Sequence, residues 1–251
     1  MPDTKTIAGY LDGYLKTGTV ADWPDAHNGL QIENSGKVTK IGAAVDACEF
    51  TFQEAVGRGI DFLLVHHGLF WGGAKPLTGG QFRKFKTAFD QDLAVYSSHL
   101  PLDLHPVEGN NALLCKALGF KKKTPFFFEK GQFIGFQASH SMDRDDLVAQ
   151  LEDILGSPVK LCPGGPKRTA QIGVVTGGAG GEIRLAAREG VDTFITGEGP
   201  HHTYLLAEEL GVNLIYGGHY ATETLGVKAM AAHLSRRFKL PWEFIDHPTG
   251  L

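Results

Sequence analysis

One strand–helix–strand pattern occurs twice in this chain, with few identical residues. Residues 41–67, IGAAVDACEFTFQEAVGRGIDFLLVHH, align without a gap on residues 172–198, IGVVTGGAGGEIRLAAREGVDTFITGE. Ile41 meets Ile172, Gly42 meets Gly173, Gly59 meets Gly190 and Asp61 meets Asp192. Each copy reads as an apolar strand, a helix, a glycine stop and a second apolar strand. Farther on, VYSSHLPLD (95–103) aligns with IYGGHYATE (215–223), which sets His99 on His219 and Asp103 on Glu223. Apolar strands alternating with helices call for an α/β fold with mostly parallel central sheets. The repeat makes it two related α/β halves, here residues 1–120 and 166–251, with 121–165 as a connecting hairpin and helix.

Apolar spacing fills in the rest of the map. Ile7, Tyr10, Leu11, Tyr14 and Leu15 share one helical face, with Gly18 as the expected C-cap. Strands are predicted over 38–46, 61–65, 93–98, 171–176, 192–196, 212–216 and 242–246. Helices are predicted over 48–58, 108–118, 147–155, 182–189, 202–210 and 224–238, and a hairpin over 126–138 turns at Lys130-Gly131.

Composition narrows the class. Apolar residues are 42% and charged residues 21%, so the chain is neither disordered nor fibrous. Glycine is abundant at 33 of 251 residues, but it falls in pairs between apolar runs and follows no collagen period. Paired glycines mark tight turns or a close backbone approach. No run of about 18 apolar residues exists to span a membrane, and the first residues lack the apolar region of a secretory signal. Three scattered cysteines with no C-x-x-C argue against a disulfide framework and a cysteine zinc site, and favour a cytoplasmic home. The net charge of −4 argues against a general grip on nucleic acid. The one basic run, Lys121-Lys122-Lys123, reads as a solvated loop.

The chemistry sits at strand ends, where α/β proteins place ligands. His66 and His67 end an apolar strand. Adjacent strand residues face opposite ways, so both can serve one cavity, or two neighbouring metals, only where the strand stops, and Gly68 permits that. His99 and Asp103 follow another strand, and Pro101 and His105-Pro106 predict a loop there. His219 and Glu223 stand one helical turn apart if a helix starts near Tyr220. Imidazoles with carboxylates suit Zn, Fe, Mn, Co or Ni without choosing among them. Five ligands drawn from these six residues exceed what a tetrahedral catalytic zinc with an open position needs, and suit two metals sharing a carboxylate. Two divalent ions against two carboxylates leave a positive site that attracts small anions, phosphate esters included.

Other segments carry weaker signals. The glycine loop VVTGGAGGE (174–182) either cradles an anion or packs a strand closely on a helix, and it matches no P-loop. GEGPHH (197–202) puts Glu198, His201 and His202 opposite the His66-His67 loop, as near-site contacts or a surface turn. WPDAHNGLQIE (23–33) offers Asn28 to the edge of the site. No serine or cysteine sits in a nucleophile elbow.

The segments NGLQIE, VDACEFTFQEAVGRGIDFLLVHHGLFW, SSHLPLDLHPVEGNNALL, TGE and GGHYATETLGV together resemble the Nif-three-like (Ngg-interacting-factor-three-like) family. Its members are often labelled GTP cyclohydrolase I type 2 homologues, and the resemblance covers nearly the whole chain. It implies two similar α/β halves, a homo-hexameric toroid, and two divalent metals per chain. His66, His67, Asp103, His219 and Glu223 would be the ligands, one carboxylate bridging, with His99 beside them. It implies a metal-dependent hydrolase in which metal-bound water attacks an anionic, purine-nucleotide-like substrate, with Glu223 or Asp103 bridging. The rival implication is a ring-shaped metal-handling or regulatory protein without catalysis. The interval where some members carry an inserted domain is short here.

Overall fold

The computed structural model describes residues 2–251. It divides into two compact units. One holds the chain up to Leu102 together with Gly226–His247, the other Asp103–Leu225 with Pro248–Leu251.

The first unit begins with α1 (Thr4–Tyr14), whose first turn is capped by Asp3 accepting from Thr6 N at 2.7 Å. Ile7, Ala8, Leu11 and Leu15 bury its apolar face, as their spacing requires. The helix ends at Leu15, and Lys16, at φ 55°, takes the left-handed turn expected of Gly18. Next come β1 (Gly29–Ile32), β2 (Ile41–Asp46), α2 (Glu49–Gly57) and β3 (Phe62–His67). They are followed by α3 (Gly79–Asp90), β4 (Ala94–Ser97) and α4 (Leu100–Asp103). Two of these differ from the sequence reading. Gly79-Gly80 opens α3, where a glycine pair signals a tight turn in sequence. The loop predicted at 99–103 is a single helical turn, because Pro101 falls in its first turn, where its missing N–H costs nothing.

The second unit contains α5 (Asn110–Ala117), β5 (Thr124–Glu129), β6 (Gln132–Ser139), α6 (Arg144–Leu155) and β7 (Lys160–Pro163). It continues through β8 (Gln171–Val174), α7 (Ile183–Arg188), β9 (Thr193–Thr196), α8 (Thr203–Leu210) and β10 (Asn213–Tyr216). Helix α9 (His219–Phe238) then carries the chain back to the first unit, which β11 (Trp242–Phe244) completes. The hairpin turns where expected, with Lys130 at φ 51° and Gly131 at φ 77°, the pair of left-handed residues that a two-residue hairpin uses.

The first sheet runs β1-β4-β3-β2-β11, parallel except for β1. The second runs β5-β6-β8-β9-β10-β7; its parallel centre β8-β9-β10 is flanked by antiparallel strands. Both central trios have the same order and hand the chain on through a helix each time. Their register also repeats: Ile41 pairs with Phe62, and Ile172 with Thr193. The shared aspartates explain themselves. Asp61 accepts from Thr39 N and Lys40 N, and Asp192 accepts from Ala170 N and Gln171 N, so each pins the backbone entering the first strand of its trio. Phe52, Leu63, Val65, Val95 and Ile245 are among the side chains forming the first core, and Leu147, Leu151, Ile172, Ile195 and Ile215 among those forming the second. Each such side chain contributes about 1.5–3 kcal/mol by leaving water.

The third strands depart from the sequence alignment by one residue. Phe62 pairs with Ala94 while Thr193 pairs with Asn213, so Ala94 corresponds to Asn213 rather than to Leu214. Two residues after each strand a helix begins, at Leu100 and at His219. His99 and His219 therefore do not occupy equivalent places. The shared H-x-x-x-acid spacing is a likeness of letters and not of position.

Candidate metal-donor clusters

In the first unit, β3 delivers His66 and His67 as its last two residues, and the segment after β4 delivers His99. The rings gather: centroids are 4.7 Å apart for His66–His67, 5.0 Å for His66–His99 and 5.7 Å for His67–His99. One nitrogen from each lies within 4.8 Å of the other two. The strand end lets the adjacent pair converge, as Gly68 foretold. Gly68 is needed for another reason too, since a Cβ there would fall 2.2 Å from the Gln31 amide, which is anchored on His27 O and receives Leu69 N.

Every ring has its Nδ1 tied to an oxygen. His66 Nδ1 lies 2.9 Å from Ser98 O, His67 Nδ1 2.8 Å from Asp46 Oδ1, and His99 Nδ1 2.9 Å from Asp22 Oδ1. Carbonyls and carboxylates only accept, so the Nδ1 atoms carry the protons, and in the neutral rings the lone pairs sit on Nε2. Asp46 reaches His67 because the two are register partners across β2 and β3. Asp22 also accepts from Leu100 N and from the Asn28 amide, and Asn28 accepts from His99 N at 2.7 Å. Burial works against the charge on Asp22, but the hydrogen bond and charge of His99, with the Asn28 amide, outweigh it and hold the carboxyl below its ordinary value. Trp71 stands edge-on to His99, 4.8 Å between centroids, and helps fix that ring.

In the second unit α9 begins at His219, so His219 and Glu223 share a face one turn apart, with His219 Nε2 3.1 Å from Glu223 Oε2. Glu198, after β9, accepts from the opposite nitrogen, Nδ1, at 2.8 Å. Burial opposes protonation of His219, but Glu223 and then Glu198 outweigh it and push its pKa up to about 9. Glu223 is buried at 2% exposure and Asp103 at 4%. Their oxygens lie within 4.8 Å of one another, and Asn110 Nδ2 donates to Asp103 Oδ1 at 2.7 Å. Two buried carboxylates this close repel, and a divalent cation is what such a pair accommodates.

The glycine loop makes room for this cluster. A Cβ on Gly177 would fall 2.2 Å from Glu223 Oε1, and one on Gly197 2.6 Å from Gly177 O. Gly177 O accepts from Gly197 N at 2.8 Å, closing the two loops on each other. His201 and His202 lie exposed in the turn before α8, outside the donor groups found among the described residues. Sequence reasoning missed Asp22, Asp46 and Asn110, and singled out the loop of Gly177 without tying it to Glu223. Only Asp46 left a local signal, as the acidic end of a strand predicted to neighbour the histidine strand.

The donor set fits a transition metal. Metal-binding histidines usually donate their second nitrogen to a carboxylate or carbonyl, and four histidines here have Nδ1 against such an oxygen, with His219 Nε2 turned to Glu223. No helix among the described residues is long and apolar enough to cross a membrane.

A family model described as Duf34/NIF3 (NGG1p interacting factor 3) matches residues 2–249. A Deinococcus radiodurans protein named GTP cyclohydrolase 1 type 2 homolog is 39% identical over 247 residues, spanning 98% of this chain and 93% of its own. One of the same name from Pyrococcus horikoshii is 39% identical, spanning 99% of this chain and 100% of its own. Among solved structures, TTHA1606 from Thermus thermophilus is 40% identical with a TM-score of 0.89, covering 99% of this chain and 100% of that one. The protein ybgI, of unknown function, is 34% identical with a TM-score of 0.92, covering 100% of both.

Proposed function

The chain belongs to the Duf34/NIF3 family, and from that premise we propose that it binds two divalent metals and hydrolyses a small anionic, purine-nucleotide-like substrate. His66, His67, Asp103, His219 and Glu223 would hold the metals, with Glu223 or Asp103 shared between them. The observation that carries this reading is the common state of the histidines. Each sets its Nδ1 against an oxygen acceptor, the orientation in which a metal-binding histidine ligates through Nε2, and His219 Nε2 faces the Glu223 carboxylate.

Divalent ions held there would lower the pKa of water and draw in negative charge. The protein's own residues prepare that role. Asp46, Asp22 and Glu198 hold protons at Nδ1 of His67, His99 and His219, so these rings do not turn. Asn110 orients Asp103, and Asn28 ties the His99 backbone to Asp22. His99, beside the ligand pair, keeps an acceptor nitrogen within reach of a bound group. The substrate class rests on the name of the relatives and on the positive balance of two metals against two carboxylates. Hexameric assembly and a cytoplasmic site belong to the same proposal, and sedimentation tests the first, at about 163 kDa for six chains of 27.1 kDa.

The test is anaerobic purification, metal analysis, and a panel of nucleotides and phosphoesters run beside His66→Ala and Glu223→Ala. About two metals per chain, and turnover lost in both variants while the fold persists, are expected. Equal background turnover in all three proteins refutes the hydrolase. Bound metal without turnover leaves a metal-handling protein, and less than about one metal per chain refutes the centre itself.

A further inference from the structure

The lysine run read as a solvent-facing loop is exposed at Lys121 and Lys122. It follows Gly119 at the end of α5, and Lys121 and Lys122 line a cavity of about 820 Å³ contained in the second unit. None of the metal-donor residues lines it. Lys123 turns away, with its ammonium 4.8 Å over the Phe136 ring.

Strand register builds the floor. Thr124 pairs with Gln137 and Gln137 with Gly173, while Ser139 pairs with Gln171. Alternation puts these on one face of the sheet, opposite Phe136, Ala138, Ile172 and Val174, which pack into the core. At Gly173 the same face is covered by the buried Phe126 ring, since a Cβ there would fall 2.5 Å from it, so the open floor lies toward Gln137, Ser139 and Gln171. Ser139 Oγ donates to Gln171 Oε1 at 3.1 Å, which leaves the Gln171 amide N–H groups as donors. His140 stands at the rim, its ring 5.0 Å from Phe120. The one carboxylate in the lining, Glu189, is occupied: its oxygens accept from Phe127 N at 2.7 Å and Phe128 N at 2.8 Å. Among the described residues neither Lys121 nor Lys122 forms an ion pair.

We propose that this cavity binds a small polyhydroxylated phosphate monoester, of sugar-phosphate size, at a site separate from the metal donors. The charges set the class. Two lysines against one carboxylate leave about one positive charge, matched to a monoester of about −1.5 to −2 and not to a triphosphate. Amides and hydroxyls from Gln137, Gln171, Thr124 and Ser139 suit sugar hydroxyls. Apart from the His140 imidazole the lining holds no ring, so a stacked nucleobase has no platform. The volume lies within the range of small-molecule sites.

Titration calorimetry on the full chain tests it, with ribose 5-phosphate and glucose 6-phosphate as probes. Wild type is expected to bind at about millimolar Kd or tighter, more weakly as salt rises. The double variant Lys121→Ala/Lys122→Ala should lose at least about tenfold in affinity with an unchanged thermal melt, and Gln137→Glu should lose as much by placing a carboxylate on the floor. His66→Ala should bind as wild type does. No heat up to about 10 mM overturns the proposal, as does equal affinity in the lysine variant. Loss of binding in His66→Ala would assign the ligand to the histidine cluster instead. Displacement of the sugar phosphate by a single-stranded oligonucleotide at lower concentration would mean a nucleic-acid surface and also overturn it.

Discussion

Gly177→Ala tests whether the glycine loop exists to seat Glu223. The residue sits at φ +73°, and the added Cβ would lie 2.2 Å from Glu223 Oε1, where ordinary contact begins at 3.4 Å. Two costs follow. The left-handed backbone costs any residue with a Cβ about 1–2 kcal/mol, or about 2–8 °C in melting temperature. The second is local: the buried carboxylate must retreat by about 1.2 Å, which breaks its alignment with His219 Nε2. Moving a donor or its support typically costs about 10–100-fold in metal affinity, or about 1.4–2.8 kcal/mol. Gly211→Ala separates the two, because Gly211 sits at φ +69° with nothing within 4 Å of its Cβ. Chelator competition should give wild-type metal affinity for Gly211→Ala and the full loss for Gly177→Ala, with both melting lower than wild type. If Gly177→Ala loads metal as wild type does, or Gly211→Ala loses as much, the loop is not the seat of Glu223.

Other outcomes follow from the same contacts. His219, with its pKa raised to about 9, stabilises the metal-stripped fold fully below its unfolded value near 6.5, and that contribution fades as pH rises through 9. The stability difference between stripped wild type and His219→Gln should therefore shrink from about pH 6.5 to about pH 9.5, and metal uptake near pH 7 should release a proton. A constant difference across that range refutes the assignment. Asp22→Ala removes the acceptor shared by His99, Leu100 and Asn28 and should cost about 1–3 kcal/mol by urea melt at pH 7. Because the Asp22 carboxyl is held low, that difference should persist down to about pH 4 and vanish only below it. Asn110→Ala should weaken metal binding about 10–100-fold by freeing Asp103 to turn. A titration that matches wild type would exclude that role.

Much of the fold was legible in local pattern. The buried strands β2, β3 and β8 announce themselves as short apolar runs bounded by turn residues, and Gly156 stops α6 as expected, although the helix starts three residues earlier than its apolar spacing indicated. Helix α3 escaped because its opening glycines imitate a turn, and its exposed Phe82 and Phe89 blur the apolar face. Strand β7 escaped because it is four residues long and exists by pairing with β10. The one-residue slip between the third strands of the two trios was invisible for a related reason. Histidine and acid letters matched, whereas register is set by hydrogen bonds to a neighbouring strand.

The sequence by itself determined the class of fold, the duplicated strand–helix–strand unit, and which histidines and carboxylates stand at strand ends and helix starts. Those features depend on residues close together in the chain, through period, caps and stops. Tertiary structure alone decided which nitrogen of each histidine carries its proton, because Ser98, Asp46, Asp22 and Glu198 come from other elements. It alone decided that Lys121 and Lys122 line a cavity while Lys123 covers Phe136. Both outcomes turn on partners distant in the chain, 21 to 77 residues away for the histidines, brought near only when the sheets form.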